Sequence, residues 1–164
     1  MRHIHIFTDG SVNTKTGVGY GACLFIFDMN LPVDFSNLSV KTKRFEDTSS
    51  TKLELETLLW ALGEITSQAS TDIMNITLYT DSQNIIGLPA RRERLERQNY
   101  ISSKNKRLKN YELYQAFYNI MSEHKCHLVK VKGHQPKIEK DNIARLFGLV
   151  DQASRHALRH EYEK

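Results

Sequence analysis

Residues 3–11 read HIHIFTDGS. Ile4, Ile6 and Thr8 fall on one face of an extended segment and His3, His5, Phe7 and Asp9 on the other, the two-residue period of a strand. The alternation predicts a first strand over 3–9 that stops at Asp9-Gly10-Ser11. Taken alone, Asp9 reads either as a turn former before Gly10 or as a ligand-binding carboxylate at a strand end.

Working outward, the glycine-rich residues 17–21 (GVGYG) lead into ACLFIFD, a second strand, and LSVKTKRFE at 38–46 reads as a third. Three strands with short connections predict an antiparallel meander. GVGYG opens a strand, which excludes a dinucleotide-binding fingerprint, because that motif opens a helix. From Ser50 the period becomes helical, with Leu55, Leu58, Leu59, Leu62 and Ile65 recurring and Thr51 and Glu54 at capping-box spacing. Residues 73–80 predict a fourth strand ending at Asp81, then a short helix from Ser82 that Pro89 would interrupt. Leu113, Phe117, Ile120 and Met121 mark another helix, and HLVKVKG at 127–133 a fifth strand. Ile143, Phe147, Val150, Ser154 and Ala157 trace a long last helix. The order predicts an α/β protein: a mixed sheet of five strands, the first three antiparallel, with helices on its faces.

A chain of 164 residues suits a single domain over 1–164, without repeat, linker or low-complexity segment. With 40% hydrophobic and 26% charged residues, it is neither disordered, collagen-like nor membrane-spanning. The N-terminus lacks an apolar signal region, so a cytoplasmic location is expected. Cys23 and Cys126 sit in apolar stretches as small buried residues, making neither a disulfide framework nor a structural zinc site. The net charge of +4 is uneven, because residues 91–109 hold eight Lys and Arg against Glu93 and Glu96. That segment reads as a solvated helix and loop or as an arm for a polyphosphate backbone, beside which Tyr100 and Tyr111 could stack on bases.

Asp81, like Asp9, stands where a strand stops, and its plain alternative is to cap the following helix. Glu54 has its own as the capping-box partner of Thr51. At 100° per residue Glu54 lies roughly 80° from the centre of the leucine stripe, at the rim of the packed face, and Glu56 roughly 120° away, toward water. Asp141 is a natural N-cap of the last helix. Asp151, far inside it and next to Val150, has no capping role and is otherwise an exposed flank residue. Carboxylates gathered at one strand end repel unless a cation shares the site, and hard ions such as Mg²⁺ or Mn²⁺ take oxygen ligands. Two such ions about 4 Å apart suit phosphodiester hydrolysis.

TDGS at 8–11, GVGYGACLF at 17–25, KLELETLLWAL at 52–62, YTDSQ at 79–83, VKGH at 131–134 and VDQASRHAL at 150–158 resemble, in order and spacing, a type 1 ribonuclease H. KNYELYQAF at 109–117 resembles that family's helix after its basic protrusion. The resemblance implies the ribonuclease H-like fold, with helices on both faces of its mixed sheet. It also implies metal-dependent endonuclease cleavage of the RNA strand of an RNA/DNA hybrid, leaving 3′-hydroxyl and 5′-phosphate ends. Asp9, Glu54, Asp81 and Asp151 fall on the family's metal-binding carboxylates, for two ions of Mg²⁺ or Mn²⁺. His134 falls on its proton-shuttling histidine, a role that suits an imidazole.

By the same resemblance Gln83, Glu54 and the backbone of Gly10 and Ser11 contact 2′-hydroxyls, the groups that distinguish RNA from DNA. Ser50 and Thr51 stand where the family often has paired asparagines. The basic segment 90–109, with Arg91, Arg92 and Arg94, stands where its protrusion holds the hybrid, but without tryptophans; the only one is Trp60. The interval from His134 to Asp151 is about seven residues longer than the family's bacterial pattern and reads as a longer loop with extra helical turns. Asp151 is chosen over Asp141 because VDQASR carries the match. A monomer with no obligate protein partner and no membrane association is expected. The competing readings are a DNA-acting relative, of resolvase or strand-transferase type, and a non-catalytic hybrid-binding module.

Overall fold

The computed structural model describes residues 3–27, 34–66, 73–132 and 141–163. Strands β1 (His3–Asn13), β2 (Val18–Phe27) and β3 (Lys41–Phe45) form the antiparallel meander, with a 3₁₀ turn at Phe35–Asn37 before β3. Helix α1 (Ser50–Thr66) crosses to β4 (Asn75–Thr80), which pairs parallel with β1. Helices α2 (Gln83–Ile86), α3 (Leu88–Arg97) and α4 (Tyr111–Glu123) lead to β5 (Lys125–Lys130), parallel to β4, and α5 (Asn142–Tyr162) closes the chain. The sheet order is β3-β2-β1-β4-β5, so the expected mixed sheet with an antiparallel first half is present.

The alternation in β1 explains how the layers assemble. Ile4 and Ile6 join Leu55, Leu58, Leu62, Phe117 and Tyr118 in a core on the side of α1 and α4, whereas Phe7 packs with Leu146, Phe147 and Val150 under α5. Helices therefore cover both faces. The hairpin between β1 and β2 turns at Gly17, whose φ of +76° costs a glycine nothing. Gly21 allows α1 to lie against β2, since a Cβ there would sit 2.2 Å from Thr57 Oγ1.

Several boundaries differ from those expected. β1 does not stop at Asp9 but runs to Asn13, because Asp9 still pairs with Ala22 and the hairpin ladder continues to Asn13 and Val18. The same ladder draws Gly19 and Gly21 into β2, which starts earlier than ACLFIFD. β3 is shorter than 38–46, and β4 begins at Asn75 rather than at 73. β5 is displaced toward the N-terminus by pairing of Lys125 with Asn75, although Val131 N–H still reaches Thr80 O at 2.8 Å. Pro89 sits in the first turn of α3, where its missing N–H is harmless, so the expected interruption divides two short helices.

The caps also differ. Ser49 Oγ accepts from Lys52 N–H at 3.3 Å, so Thr51 and Glu54 do not form a capping box. Glu56 does not face water alone, because Thr48 Oγ1 donates to it at 2.6 Å. Asp141 caps α5 as expected, accepting from Ala144 N–H at 2.8 Å. Tyr100 is not placed to stack on bases: it is 5% exposed, within the core on the α1 side. Among the described residues no helix is long and apolar enough to cross a membrane.

Candidate active site

The parallel pairing of β1 and β4 ends at Phe7 and Tyr79, two residues before Asp9 and Asp81. Each aspartate therefore stands just past the end of the shared ladder, where no neighbouring strand covers the gap between them. That asymmetry reconciles a strand running to Asn13 with a carboxylate at a strand-end position: β1 remains paired on its β2 side and is released on its β4 side. Glu54, from the first turns of α1, closes the opposite wall. Thr8, Asp9, Gly10, Glu54, Thr57, Thr80, Asp81 and Ile85 line one narrow cleft.

Asp81 is not needed as a cap. Ser82 fills that position, its Oγ accepting from Ile85 N–H at 3.2 Å and donating to Glu54 Oε2 at 2.5 Å. Ser82 thus holds Glu54 to the start of α2, a link that the sequence reading missed. Asp9 points to the α5 side of the sheet, the side of Phe7, and so meets Asp151. Asp151 is not a solvated flank residue: its side chain is 28% exposed and pairs with Arg155 Nε at 3.0 Å.

The electrostatics record this crowding. Burial pushes the Asp9 carboxyl up to about 8, the charge of Asp81 and the Asp151 carboxyl within hydrogen-bonding reach add to the rise, and only the Gly10 N–H opposes it. Glu54 is also raised, first by burial and then by Asp81, against the Ser82 hydroxyl. Among the described residues no three acidic, histidine or cysteine side chains close on a single point that would hold an ion as they stand. Glu54 is turned to Ser82 and Asp151 to Arg155. The donors are nevertheless all carboxylate oxygens, and their repulsion is of the kind a hard divalent cation relieves, so the residues fit such an ion.

The remaining expected residues are distributed as follows. Ser11 Oγ lies 3.1 Å from Ser154 Oγ, and Gly10 packs on Leu53. Gln83 Oε1 accepts from Lys130 Nζ at 2.6 Å, beside the cleft. Ser50 and Thr51 are exposed on the first turn of α1. His134 lies outside the described residues. In the basic segment, Arg91 donates to Asn84 O and Asn84 Oδ1, each at 2.8 Å, and Arg92 to Glu96 at 2.7 Å and Ser122 Oγ at 2.7 Å. Arg94 lines an open groove with Leu95, Gln98 and Ile101. Sequence reasoning missed Ser154; its signal was a hydroxyl within an otherwise apolar helix stripe.

The RNase H family model matches residues 1–155. A ribonuclease H of Agrobacterium fabrum is 31% identical over 150 residues, covering 88% of this chain and 94% of that protein. One of Novosphingobium aromaticivorans is 27% identical over 148 residues, covering 89% and 94%. Among solved structures, LC9-RNase H1, a type 1 RNase H with the type 2 active-site motif, superposes with a TM-score of 0.70 at 15% identity, over 94% of this chain and 71% of that one. LC11-RNase H1, solved in complex with an RNA/DNA hybrid, gives 0.57 at 19% identity, over 94% and 99%. The two structures share the fold.

Proposed function

The chain belongs to the ribonuclease H family and is a ribonuclease H, and from that premise we propose that it cuts the RNA strand of RNA/DNA hybrids through Asp9, Glu54, Asp81 and Asp151, leaving 3′-hydroxyl and 5′-phosphate ends. The observation that carries this reading is the Asp9 carboxyl, half-buried and crowded by Asp81 and Asp151 where the β1/β4 ladder ends. A site of that kind is costly to keep unless a cation shares it.

Asp9, Glu54, Asp81 and Asp151 would hold two ions of Mg²⁺ or Mn²⁺, which when bound supply Lewis-acid activation of water and charge stabilisation at the leaving oxygen. Ser82 orients Glu54 by its hydrogen bond. His134 would carry the proton to and from the reacting water and leaving group. Gln83, Glu54 and the Gly10 and Ser11 backbone would recognise 2′-hydroxyls, with Lys130 orienting Gln83. Ser50 and Thr51 would face the minor groove. The segment 90–109 would hold the backbone of the hybrid, chiefly through Arg94, because Arg91 and Arg92 already donate within the chain. The five strands share one sheet, which supports reading the chain as one domain, and it would act as a monomer. A cytoplasmic location is part of this reading, and there the Cys23 and Cys126 thiols would stay reduced.

The test is gel-resolved cleavage of an end-labelled RNA/DNA hybrid with Mg²⁺ or Mn²⁺, with EDTA and Asp81→Asn as controls and duplex DNA alongside. Cutting of the RNA strand alone, lost in both controls, is expected. Metal-dependent cutting of DNA instead would favour a resolvase-like activity, and binding without cutting a non-catalytic module.

A further inference from the structure

Three residues from three strands form a row beneath α5. Ser11 of β1 is the cross-strand partner of Tyr20 in β2, and Tyr20 is the partner of Arg44 in β3. α5 reaches every member of the row. Ser154, fully buried, places Oγ 3.1 Å from Ser11 Oγ and 3.1 Å from its own helix's Asp151 O. Glu161 accepts from Tyr20 Oη at 2.5 Å and from Arg44 Nε at 2.7 Å. One residue further, Tyr162 Oη meets Thr16 Oγ1 at the hairpin.

The spacings agree. Seven residues of helix bring Glu161 back to within about 20° of the face that carries Ser154, with a rise of about 10.5 Å. Two strand intervals, from β1 to β3, amount to about 9.6 Å. The contacts on α5 therefore keep step with the strands it crosses. The apolar contacts of Leu146, Phe147 and Val150 hold the helix on the sheet but are non-directional and leave its axial position loosely fixed. Hydrogen bonds at two points along the axis fix it. The first point is next to the cleft, since Ser154 is one turn from Asp151 and Ser11 is two residues from Asp9.

We propose that Ser154 and Glu161 are positioning residues: they pin α5 to the Ser11, Tyr20 and Arg44 row and thereby set the separation of Asp151 from Asp9. This rests on reading Asp151 as a metal carboxylate. Glu161 lies beyond residues 1–155, the stretch matched by the family model. Hydrogen bonds from Arg44 and then Tyr20 hold the Glu161 carboxyl below the usual range, so this pin remains charged at neutral pH.

The experiment compares the full chain with Glu161→Ala, Ser154→Ala, the double variant, Asp151→Asn and a control, Glu163→Ala, whose carboxylate pairs with His160. Mn²⁺ alone is the probe, titrated without substrate and followed by the electron paramagnetic resonance of the free ion. Each pin variant should bind Mn²⁺ about three- to fivefold more weakly, and the double variant more weakly still. KM for the hybrid should change by less than about twofold, and the control should match the parent. Should Ser154→Ala fail to fold, Glu161→Ala, at the helix end, carries the test. Parental Mn²⁺ binding in Glu161→Ala and in any folded double variant, with weakened binding in Asp151→Asn, would overturn the proposal. Parental binding in Asp151→Asn as well would instead overturn the assignment of Asp151, and the proposal with it.

Discussion

At the ends of β1 and β4, Asp9, Asp81 and Asp151 crowd together, and the Asp9 carboxyl is pushed up to about 8 by burial and by its neighbours. In α3 and the loop after it, three of the positive residues have partners within the chain: Arg91 on the end of α2, Arg92 on Glu96 and Ser122, Arg107 over the Tyr111 ring at 4.6 Å. In the acidic region the Asp9 carboxyl stays raised although Asp151 meets Arg155 and Glu54 meets Ser82, whereas three arginines of the basic region are already engaged within the chain. Formal charge is therefore a poor guide to what each region offers a ligand. A few carboxylates crowded at one cleft define a site more sharply than eight cations spread over a helix and loop define a surface.

The largest expected effect breaks or upholds the acidic half of this contrast. Asp81→Asn should lower turnover by about three orders of magnitude, while affinity for the hybrid stays within about threefold. Single-turnover cleavage and filter binding measure the two separately. Turnover near the parental rate would mean that the crowded carboxylates serve only the fold.

A second test reads the repulsion directly. In EDTA, folded Asp9 titrates near 8 and the unfolded chain near its ordinary value of 3.8. Between those values the folded protein holds a proton that the unfolded chain has released, so this contribution to stability is complete below the lower value and is lost as pH rises through the upper one. The melting temperature of the metal-free protein should therefore fall between pH 5 and pH 8, by several degrees on the scale of about 3 °C per kcal/mol for a chain of this size. Asp9→Asn should flatten that slope and melt above the parent at pH 8. A parental melting temperature that rises over this range would contradict the assigned crowding.

The basic half is sharpened by two arginines that the sequence treats alike. Arg94→Glu should weaken hybrid binding about tenfold and lower the salt dependence by about 1–2 charges. Arg91→Glu should act mainly on the fold, because it removes donors from Asn84 O and Gly87 O at the end of α2. Its melting temperature should drop by about 3–6 °C, with a smaller change in salt slope. Equal salt slopes for the two variants would show that Arg91 leaves its intramolecular partners to meet the substrate.

These contrasts also mark how far the sequence could be read. The period of residues 3–9, the helical leucines of α1 and the apolar stripe of α5 each specified an element and its buried face, because burial repeats with the geometry of the backbone. The order of the elements then limited the sheet to few arrangements. What the sequence did not disclose depends on pairing between distant segments. The end of β1 is set separately by β2 and by β4, and the role of Asp81 is decided by whether Ser82 takes the cap. Glu54 was legible as a rim residue, yet its Ser82 partner is 28 positions away. Ser154 was placed on the correct face, but that its hydroxyl meets Ser11 emerges only once α5 crosses β1.

The smallest expected effect falls on the tyrosines. Tyr100 and Tyr111 stand beside the same positive charges, and from sequence both could stack on bases. Tyr100 has a φ of 58°, its N–H reaches Leu95 O at 2.9 Å and its carbonyl accepts from Leu108 N–H at 2.7 Å, which turns the ring into the core. Tyr111 is half-buried and lies under the Arg107 guanidinium, so it supports a charge that a phosphate could meet. Tyr100→Phe should leave hybrid affinity unchanged within about 1.5-fold, while Tyr111→Ala should weaken it about two- to threefold by removing that platform. Fluorescence anisotropy at low salt resolves differences of this size. Were Tyr100→Phe the more damaging change, the buried ring would have to leave the core on binding, and the basic region would be a surface remade by its substrate rather than one already settled within the chain.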